Sequence, residues 1–592
     1  MPQPYSVSPD GTKYPLPKQS DYRKEFTRIE KLAAKAKKNN QEIVVVMGVG
    51  FVGAVMAAIV ADTEAKPPST KGPSPITHDL SPITHDLSPI THYPSPRYPK
   101  FVIGMQRPSA RSYWKIPLLN KGISPVKAED PEVDPMIKRC VLDKRTLIAT
   151  FTYDALQFAD VVIVDVQLDY SKKDLGNVRT GHVEMTALEE SFDIIARRIK
   201  PDCLVLIETT VAPGTTEQIA YPIMKKIFER RFPSSSKGGT TSYEPSAMSP
   251  EPLLAHSYER VMPGRNYVAS IRDFWRVCSG VNEEATKRVV KFLNEVLNTK
   301  KFPLTVLDRP IESETAKIVE NSYRATTLAF MDEWSKFAEQ NGVDIMKVIK
   351  AIRVRPTHNN MIFPGPGIGG YCLPKDGGLG IWAYRHILGF EDDIFKITPL
   401  AIDINDTRAL HAAQMVRDAL RNMGKPIASA EALVLGASYR EDVGDTRYSG
   451  SEILIRRLAE MGAEIRVHDP YVDVWWEFTK QDEYPDNNRR VFFRNQKKLK
   501  DLIVLKDLDA AFKNIDALVL AVRHEEYLNI NPDDVIMNTG QPIAVIDCFG
   551  ILNDSDILRY LQLGCEVKGL GRGHIRRLKE EVKRSSYHEK SR

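Results

Sequence analysis

A strand-like run followed by spaced glycines restricts the fold of this 592-residue chain more than any other feature of its sequence. Residues 43–46 are all β-branched aliphatics, which predicts a buried strand. The glycines that follow are spaced Gly-x-Gly-x-x-Gly. In this pattern the first allows a tight turn, the second lets backbone approach a pyrophosphate, and the third packs a helix on the strand. The sequence therefore predicts a dinucleotide-binding turn formed by Gly48, Gly50, Phe51, Val52 and Gly53.

The same segment is also the strongest candidate for a membrane span. Residues 43–60 contain no charged side chain and reach the lower length limit for a membrane-spanning helix. However, the β-branched run, the glycines and the small residues after them favour a strand, a turn and a helix in that order. The formal net charge of +5 gives no reason to expect nucleic acid or an anionic membrane as a partner. We therefore expect no membrane and no nucleic-acid partner.

Short apolar runs alternate with helical patterns in two separate parts of the chain. The first part includes runs at residues 101–105 and 160–166, and the second begins at 431–439 and continues to 543–550. Such alternation is typical of a parallel sheet covered on both faces. Between the two parts, residues 312–340 form a long helical pattern without Pro or Gly. The sequence predicts the α/β fold class, with two Rossmann-like, doubly wound lobes joined by a helical central domain.

The predicted domain boundaries follow these changes of pattern. A polar N-terminal extension, expected to be flexible, precedes a dinucleotide-binding domain, a helical central domain, a second α/β domain and a basic tail expected to be solvated. Their ranges are 1–40, 41–305, 306–420, 421–570 and 571–592. A low-complexity insertion at 63–99, in which SPITHDL occurs twice in tandem, interrupts the dinucleotide-binding domain. Because every copy contains a proline and is too short to bury a core, we expect a disordered loop.

The residues after the second predicted strand bear on the choice of coenzyme. An acidic residue usually accepts the ribose 2′-OH of NAD at this position, but this chain has Gln106 followed by Arg107. An arginine there could bind the 2′-phosphate of NADP. We expect NAD as the coenzyme and Gln106 as one of its contacts, and NADP stays open.

Cys372 has the most unusual surroundings of any residue in the sequence. It lies in GPGIGGYCLPKD, residues 365–376, where glycines and prolines precede it and Lys375 and Asp376 follow it. A cation near a thiol favours the nucleophilic thiolate, and a carboxylate can orient or deprotonate water. The alternative is an inert buried cysteine, which would not require so many glycines. The six cysteines have neither CxxC nor zinc-type spacing, so we expect no metal and a cytoplasmic location.

This cysteine motif and three others resemble motifs of the UDP-glucose/GDP-mannose dehydrogenase family, in the same order along the chain. KIVEN at 317–321 is similar to the family's Lys and Asn pair, IETTVAPGTTE at 207–217 to its strand-end motif, and GASYREDVGDTRYS at 436–449 to its substrate-lobe motif. The resemblance covers about residues 42–571 without the insertion. It implies that residues 421–570 bind a nucleotide sugar and that the chain forms a homodimer or a higher homo-oligomer, with dimerisation through the central domain.

The resemblance also implies the chemistry. It is an NAD-dependent, four-electron oxidation of a UDP-sugar C6 alcohol to the uronic acid for polysaccharide biosynthesis, through a Cys372 thiohemiacetal and thioester. The implied catalytic residues are Cys372, Lys317, Asn321, Asp376 and Glu208, with Lys375 as a further coenzyme contact. The implied substrate contacts are Glu259, Arg260, Gly367, Gly369 and Arg447.

Two segments depart from the family pattern. DVQLDY at 165–170 replaces the usual Thr-Pro strand end, so no Thr can be assigned there. YER at 258–260, ahead of MPG, is similar to the ERV-PG pattern of members that act on UDP-N-acetylhexosamines, although Tyr stands where Pro is common. The resemblance therefore favours UDP-GlcNAc or UDP-ManNAc over UDP-glucose.

Two alternative functions stay open from the sequence alone. A two-electron dehydrogenase of the 6-phosphogluconate or hydroxyacid type shares a Rossmann lobe, a helical middle and a Lys/Asn helix, but it needs no nucleophilic cysteine. A non-enzymatic binding protein would use the basic tail to contact nucleic acid, and its retention on DNA would depend on salt.

Overall fold

The computed structural model describes residues 4–65, 98–172, 174–233, 250–479 and 496–590, with side chains described to residue 585. Most of the predicted low-complexity insertion at 63–99 lies outside the described residues. The chain divides into two units. The first comprises Met1–Leu168 and Glu184–Ala316, and the second comprises Asp169–Val183 and Lys317–Arg592.

Strands and helices alternate through most of the described chain. The strands are β1 (Tyr5–Val7), β2 (Lys13–Pro15), β3 (Glu42–Met47), β4 (Lys100–Met105), β5 (Leu147–Thr150), β6 (Val161–Val164), β7 (Tyr170–Ser171), β8 (His182–Val183), β9 (Leu204–Ile207), β10 (Leu253–His256), β11 (Val277–Gly280), β12 (Thr305–Val306), β13 (Glu431–Leu435), β14 (Glu464–His468), β15 (Val504–Leu505), β16 (Ala517–Leu520), β17 (Ala544–Asp547) and β18 (Glu566–Gly569). The helices are α1 (Gln19–Lys38), α2 (Phe51–Asp62), α3 (Lys115–Asn120), α4 (Val133–Lys138), α5 (Thr186–Ala196), α6 (Tyr221–Arg231), α7 (Tyr267–Arg272), α8 (Glu283–Val296), α9 (Pro310–Asn341), α10 (Ile345–Arg353), α11 (Asp376–His386), α12 (Ile397–Asn422), α13 (Gly450–Glu460), α14 (Trp476–Thr479), α15 (Lys497–Lys500), α16 (Leu508–Ala511), α17 (Pro532–Thr539), α18 (Asp554–Gln562) and α19 (Ile575–Lys590).

The described part of the first unit is built on an eight-stranded sheet in the order β12-β11-β10-β9-β6-β3-β4-β5. Neighbouring strands are parallel except for β10 and β11. The strand order reverses between β3 and β6, which is the point at which doubly wound sheets bind dinucleotides. Residues 43–60 form β3 and most of α2, whose small and aliphatic side chains are buried in the core of this unit. None of the helices in the described ranges combines the length and the apolar character needed to cross a lipid bilayer.

The described part of the second unit contains a six-stranded, parallel sheet in the order β15-β14-β13-β16-β17-β18. Helices α9 to α12 precede this sheet in the chain. Helix α12 packs on the sheet through Ala412, Val416 and Ala419, which share a buried core with Val434 and Ile546. The predicted fold class is confirmed: two Rossmann-like lobes with a helical region between them along the chain.

The N-terminal extension differs from the flexible segment expected from its polar composition. It forms the β1–β2 hairpin and helix α1, which buries Ile29, Ala33 and Ala36. The Thr150 hydroxyl at the end of β5 donates a hydrogen bond to Glu25 of α1. One small or aliphatic side chain per turn is enough to give a helix a buried face, even when its average composition is polar.

The first part of the predicted solvated tail is also packed against the protein. Helix α19 buries Ile575 and Leu578, and the Gly571 backbone N–H donates to Glu339 Oε1 at 2.8 Å. Gly571 has φ +69°, and a Cβ there would lie 2.2 Å from Ile345 Cγ2. The basic composition of the tail gave no indication of these apolar contacts, because only a few of its residues make them.

Candidate active site

The glycine turn lies at the end of β3, at the switch point of the first sheet. Gly48 has φ +107°, and a Cβ there would lie 2.4 Å from the Asp165 carbonyl oxygen. A Cβ at Gly53 would lie 1.9 Å from the Gly48 carbonyl oxygen, so close packing requires glycine at both positions. By contrast, a Cβ at Gly50 would meet nothing within 4 Å. The start of α2 is therefore open to a ligand, and backbone N–H groups at a helix start attract phosphate.

Gln106 directly follows β4, and its side chain turns toward the glycine turn. Its Oε1 accepts a hydrogen bond from the Val49 backbone N–H at 3.2 Å. Arg107 beside it is exposed. The position thus offers no acidic side chain to a ribose 2′-OH, and it does not separate NAD from NADP. The role of Gln106 as a coenzyme contact stays a prediction.

Acidic side chains follow two neighbouring strands of this sheet. Glu208, after β9, is 1% exposed, and its Oε1 lies 2.5 Å from Arg276 Nη2. Burial raises the pKa of Glu208 above its ordinary value, although Arg276 acts in the opposite direction. Asp165, after β6, has its pKa raised well above the ordinary value by burial, with repulsion from Glu208 and Glu259 adding to the effect. Raised carboxyl pKa values are typical of groups that exchange protons in active sites, as the role predicted for Glu208 requires.

Glu259 and Arg260, two predicted substrate contacts, lie in the first unit after β10. Glu259 Oε2 accepts a hydrogen bond from the Val261 backbone N–H at 2.6 Å. Arg260 donates to the Trp275 carbonyl oxygen at 3.1 Å, and its guanidinium lies 5.5 Å from the centre of the Tyr258 ring. The other predicted substrate contacts lie in the second unit, so a role shared by all of them stays a prediction.

The glycines before Cys372 allow its loop to pack closely within the second unit. Gly369 has φ +52°, and a Cβ there would lie 2.4 Å from Tyr439 Cβ. A Cβ at Gly367 would lie 2.7 Å from Gly450 Cα at the start of α13. Cys372 is partly exposed, whereas the other five cysteines of the chain are buried. Cys372 is therefore the one cysteine of the six that is not buried.

Asp376 links several of the predicted catalytic side chains. Its Oδ2 accepts a hydrogen bond from Asn321 Nδ2 at 2.7 Å, and its Oδ1 accepts one from Lys375 Nζ at 2.8 Å. Its backbone N–H donates to the Cys372 carbonyl oxygen at 2.9 Å, where α11 begins. Lys317 lies one turn before Asn321 on α9 and is 6% exposed. Lys375, predicted as a coenzyme contact, thus has Asp376 as a hydrogen-bond partner.

Two cations act on Cys372. Burial alone would lower the pKa of Lys375, but Asp376 and Cys372 raise it above its ordinary value. Burial likewise opposes the charge of Arg447, yet the pKa of Arg447 is raised by Asp445 and Cys372. Arg447 Nη2 lies 2.6 Å from Asp445 Oδ2. Positive charge beside a thiol favours the thiolate, which is the form that attacks an aldehyde.

Tyr371 and Asp169 also belong to this neighbourhood, although the sequence did not predict them. The Tyr371 hydroxyl donates a hydrogen bond to Asp169, and Lys375 Nζ lies 4.6 Å from the centre of the Tyr371 ring. The only signal in the sequence was that Asp169 lies in DVQLDY, where the chain departs from the family pattern.

A second cluster in the second unit brings potential metal ligands together. Asp344, Asp554 and His574 offer atoms that all lie within 4.8 Å of one another. Two cations already face this cluster, because Lys347 Nζ lies 2.6 Å and Arg572 Nη2 lies 3.6 Å from Asp554. These charges oppose a metal ion at the same carboxylates, so the cluster is an ion-pair network in a site that does not favour metal.

Profiles of one protein family match three consecutive parts of the chain. Residues 111–298 match the NAD binding domain of the UDP-glucose/GDP-mannose dehydrogenase family, 311–407 match its central domain, and 433–554 match its UDP binding domain. Cys372 and Asp376 lie within the central-domain match. The glycine turn precedes the first matched residue, and the insertion at 63–99 separates the two.

Similar proteins are matched over most of their length. A UDP-N-acetyl-D-mannosamine dehydrogenase of Pyrococcus horikoshii is 25% identical over 77% of this chain and 91% of its own. A UDP-glucose 6-dehydrogenase of Rickettsia conorii is 24% identical over 76% of this chain and 92% of its own. The crystal structure of NDP-N-acetyl-D-galactosaminuronic acid dehydrogenase from Methanosarcina mazei matches with a TM-score of 0.66 at 24% identity, over 93% of this chain and 98% of that one. The structural match agrees with the predicted fold.

Proposed function

The chain belongs to the UDP-glucose/GDP-mannose dehydrogenase family, and on that premise we propose that it oxidises the C6 alcohol of a UDP-sugar to a carboxylate in two NAD-dependent steps. The observation that carries the proposal is the partly exposed Cys372, in a loop that Asp376 joins to Asn321 and Lys375. An alcohol that is oxidised once needs no such nucleophile, whereas an aldehyde that must be held and oxidised again does.

The first unit would hold the coenzyme. A bound nicotinamide dinucleotide would accept one hydride in each oxidation. Its pyrophosphate would lie against the turn formed by Gly48, Gly50, Phe51, Val52 and Gly53, where the open space at Gly50 permits close approach. We propose NAD because the matched family domain is described as NAD binding. Arg107 makes NADP the alternative.

Cys372 would hold the sugar between the two oxidations. Loss of a hydride and a proton from the C6 alcohol gives an aldehyde, and the Cys372 thiolate adds to its carbonyl carbon to form a thiohemiacetal. Loss of a second hydride and a proton gives a thioester. Water then attacks the thioester carbon, and cleavage of the C–S bond releases the carboxylate and restores the thiolate. Four electrons leave the sugar as two hydrides.

Polar residues would manage charge and protons during these steps. The Lys317 ammonium and the Asn321 amide can donate to the oxyanion that develops when Cys372 adds to the aldehyde. Asp376 orients Asn321 through their hydrogen bond. Glu208, whose pKa burial raises, is proposed to accept the proton of the attacking water.

We propose a UDP-N-acetylhexosamine as the sugar substrate. Glu259 and Arg260 stand in the pattern typical of members that act on such sugars, and the Pyrococcus horikoshii relative is named a UDP-N-acetyl-D-mannosamine dehydrogenase. Gly367, Gly369 and Arg447 are proposed to contact the nucleotide sugar, with the Arg447 guanidinium suited to its diphosphate. UDP-glucose is the alternative, supported by the name of the Rickettsia conorii relative.

A homodimer is proposed from one face of α9. Tyr323, Phe330, Trp334 and Phe337 recur at helical spacing, and their exposed fractions range from 44% to 59%. A contiguous exposed apolar face of this kind is typical of an interface between proteins. The six cysteines are all free thiols, which supports a reducing cytoplasm as the proposed location. Polysaccharide biosynthesis is proposed as the role because the chain belongs to the UDP-glucose/GDP-mannose dehydrogenase family.

Turnover of a panel of UDP-sugars with NAD or NADP tests the proposal. Mass spectrometry of the products is expected to show a UDP-N-acetylhexosaminuronic acid, formed with NAD. A product oxidised by only two electrons would favour the 6-phosphogluconate or hydroxyacid type of enzyme. Failure to oxidise any UDP-sugar would overturn the proposal.

A further inference from the structure

One short segment of the second unit holds the Cys372 loop on both sides of the cysteine. The Tyr371 hydroxyl, from the residue before the cysteine, donates a hydrogen bond to the Asp169 carboxylate. Lys172 Nζ donates to the carbonyl oxygen of Pro374, two residues after the cysteine, at 3.3 Å. Asp169 and Lys172 therefore bind the residues on either side of Cys372, Asp169 through Tyr371 and Lys172 through Pro374.

This segment is itself anchored to α12. Lys172 is 6% exposed, and its Nζ lies 2.5 Å from Asp406 Oδ2. One turn earlier on the same helix, Asp403 Oδ1 accepts a hydrogen bond from the Val178 backbone N–H at 2.7 Å. Lys172 and Val178, two residues of the Asp169–Val183 segment, are therefore both attached to α12, and Asp169 lies three residues before the first of them.

The two cations that act on the thiol, Lys375 and Arg447, both lie over the ring of Tyr371. Lys375 Nζ lies 4.6 Å from the ring centre, and the Arg447 guanidinium carbon lies 5.4 Å from it. A cation over an aromatic face is attracted to it, so the orientation of the ring helps to fix both cations. Lys375 and Arg447 each interact electrostatically with Cys372.

We propose that Asp169 and Tyr371 are positioning residues for Cys372. Their hydrogen bond fixes the ring of Tyr371, and the ring keeps Lys375 and Arg447 where they stabilise the Cys372 thiolate. The inference rests on the proposed nucleophilic role of Cys372. It gives a function to DVQLDY, the segment that replaces the Thr-Pro strand end of the family.

Two substitutions separate the hydrogen bond from the charge. Tyr371→Phe keeps the ring but removes the hydrogen bond that fixes it, so Lys375 and Arg447 are held less firmly beside the thiol. Asp169, which already interacts with Lys375, then competes with the thiolate for that ammonium. The pH at which Cys372 becomes reactive then rises. Asp169→Asn keeps an acceptor for Tyr371 but removes a negative charge near the thiol, so this pH falls. In the described part of the chain, the charged and titratable groups that bear on the thiol, directly or through these cations, include Lys375, Arg447, Tyr439, Asp376, Asp445 and Asp169.

The test is the rate of alkylation of Cys372 by iodoacetamide as a function of pH, measured on the full chain by mass spectrometry of the peptide that contains it. The other five cysteines are buried and react slowly. Tyr371→Phe is expected to raise the midpoint of this profile by about one pH unit, and Asp169→Asn to lower it. Tyr448→Phe is the matched control. The Tyr448 hydroxyl has no hydrogen-bond partner in the described part of the chain, and the centre of its ring lies 6.5 Å from that of Tyr371. The midpoint of the alkylation profile of Tyr448→Phe is expected to equal that of the wild type.

A raised midpoint in Tyr371→Phe beside a lowered one in Asp169→Asn indicates a positioning role, because Asn keeps the hydrogen bond that Phe removes. An unchanged midpoint for Tyr371→Phe would overturn the proposal, as would a raised midpoint for Asp169→Asn. Circular dichroism identifies a variant that fails to fold, in which case the sign of the shift in the remaining variant decides. The assay uses neither sugar nor coenzyme. Opposite shifts without any UDP-sugar oxidation would therefore refute the proposed function while keeping the positioning role.

Discussion

At the scale of single residues, Asp376 has the largest part in organising the candidate site. It is fully buried, and its two carboxylate oxygens accept hydrogen bonds from Asn321 and Lys375. A buried carboxylate is costly unless it is paired and hydrogen-bonded, and these contacts meet that requirement. Its backbone N–H also ties the start of α11 to the Cys372 carbonyl oxygen. Asp376 therefore joins Asn321 and Lys375 to the loop of Cys372, the proposed nucleophile.

Lys317→Ala is expected to lower kcat by about 10²- to 10³-fold, because the lysine charge is proposed to act on an oxyanion that exists only during the reaction. The dissociation constant of the coenzyme should not change. Steady-state kinetics and dinucleotide titration measure the two quantities separately. Lys291→Ala on the exposed face of α8 is the control and should leave both unchanged. A normal kcat for Lys317→Ala would refute the role of this residue.

Arg276→Met is expected to destabilise the protein by about 3–5 kcal/mol, because it leaves Glu208 as an uncompensated charge in the interior. Urea unfolding measures the loss. Adding Glu208→Gln removes that charge and should restore a large part of the stability. If the double variant is no more stable than Arg276→Met alone, the two side chains are not energetically coupled.

At the scale of elements, the sequence predicted strands, turns and helices within one local segment, but it did not predict contacts between segments that are distant in the chain. The strand, turn and helix around Gly48 follow from glycine spacing, and the pairing of Lys317 with Asn321 on one helix follows from a four-residue separation. The contact between Tyr371 and Asp169 joins residues 202 positions apart, which no spacing rule relates. Helix α1 was hidden in the same way, because its buried stripe is recognisable only against the surface that it covers.

The exposed face of α9 makes a prediction about assembly. Replacing Phe330 and Trp334 by Glu places charges in the proposed dimer interface, so the double variant is expected to sediment as a monomer while the wild type sediments as a dimer. Gln340→Glu, near the end of the same helix, adds a charge outside this aromatic cluster and should remain dimeric. A wild-type protein that is monomeric at micromolar concentration would contradict the proposal.

At the scale of the whole molecule, the predicted site residues belong to two units, and each unit is formed by two separate stretches of the chain. The coenzyme turn and Glu208 belong to the first unit, and Cys372, Asp376 and Arg447 belong to the second. Asp169–Val183 lies between strands of the first sheet in sequence but belongs to the second unit. The predicted domains were continuous ranges of residues, so they could not include a segment that belongs to the other unit. For that reason the sequence predicted a role for Cys372 but did not predict that residues of the Asp169–Val183 segment contact its loop.

The number of coenzyme molecules reduced per UDP-sugar consumed tests the central claim most directly. With an excess of coenzyme and a limiting amount of sugar, the wild type is predicted to form two reduced coenzymes for each sugar. Cys372→Ser, which cannot form the thioester, is predicted to form at most one and to release no carboxylate. One reduced coenzyme per sugar in the wild type, or two per sugar at full rate in Cys372→Ser, would contradict the account.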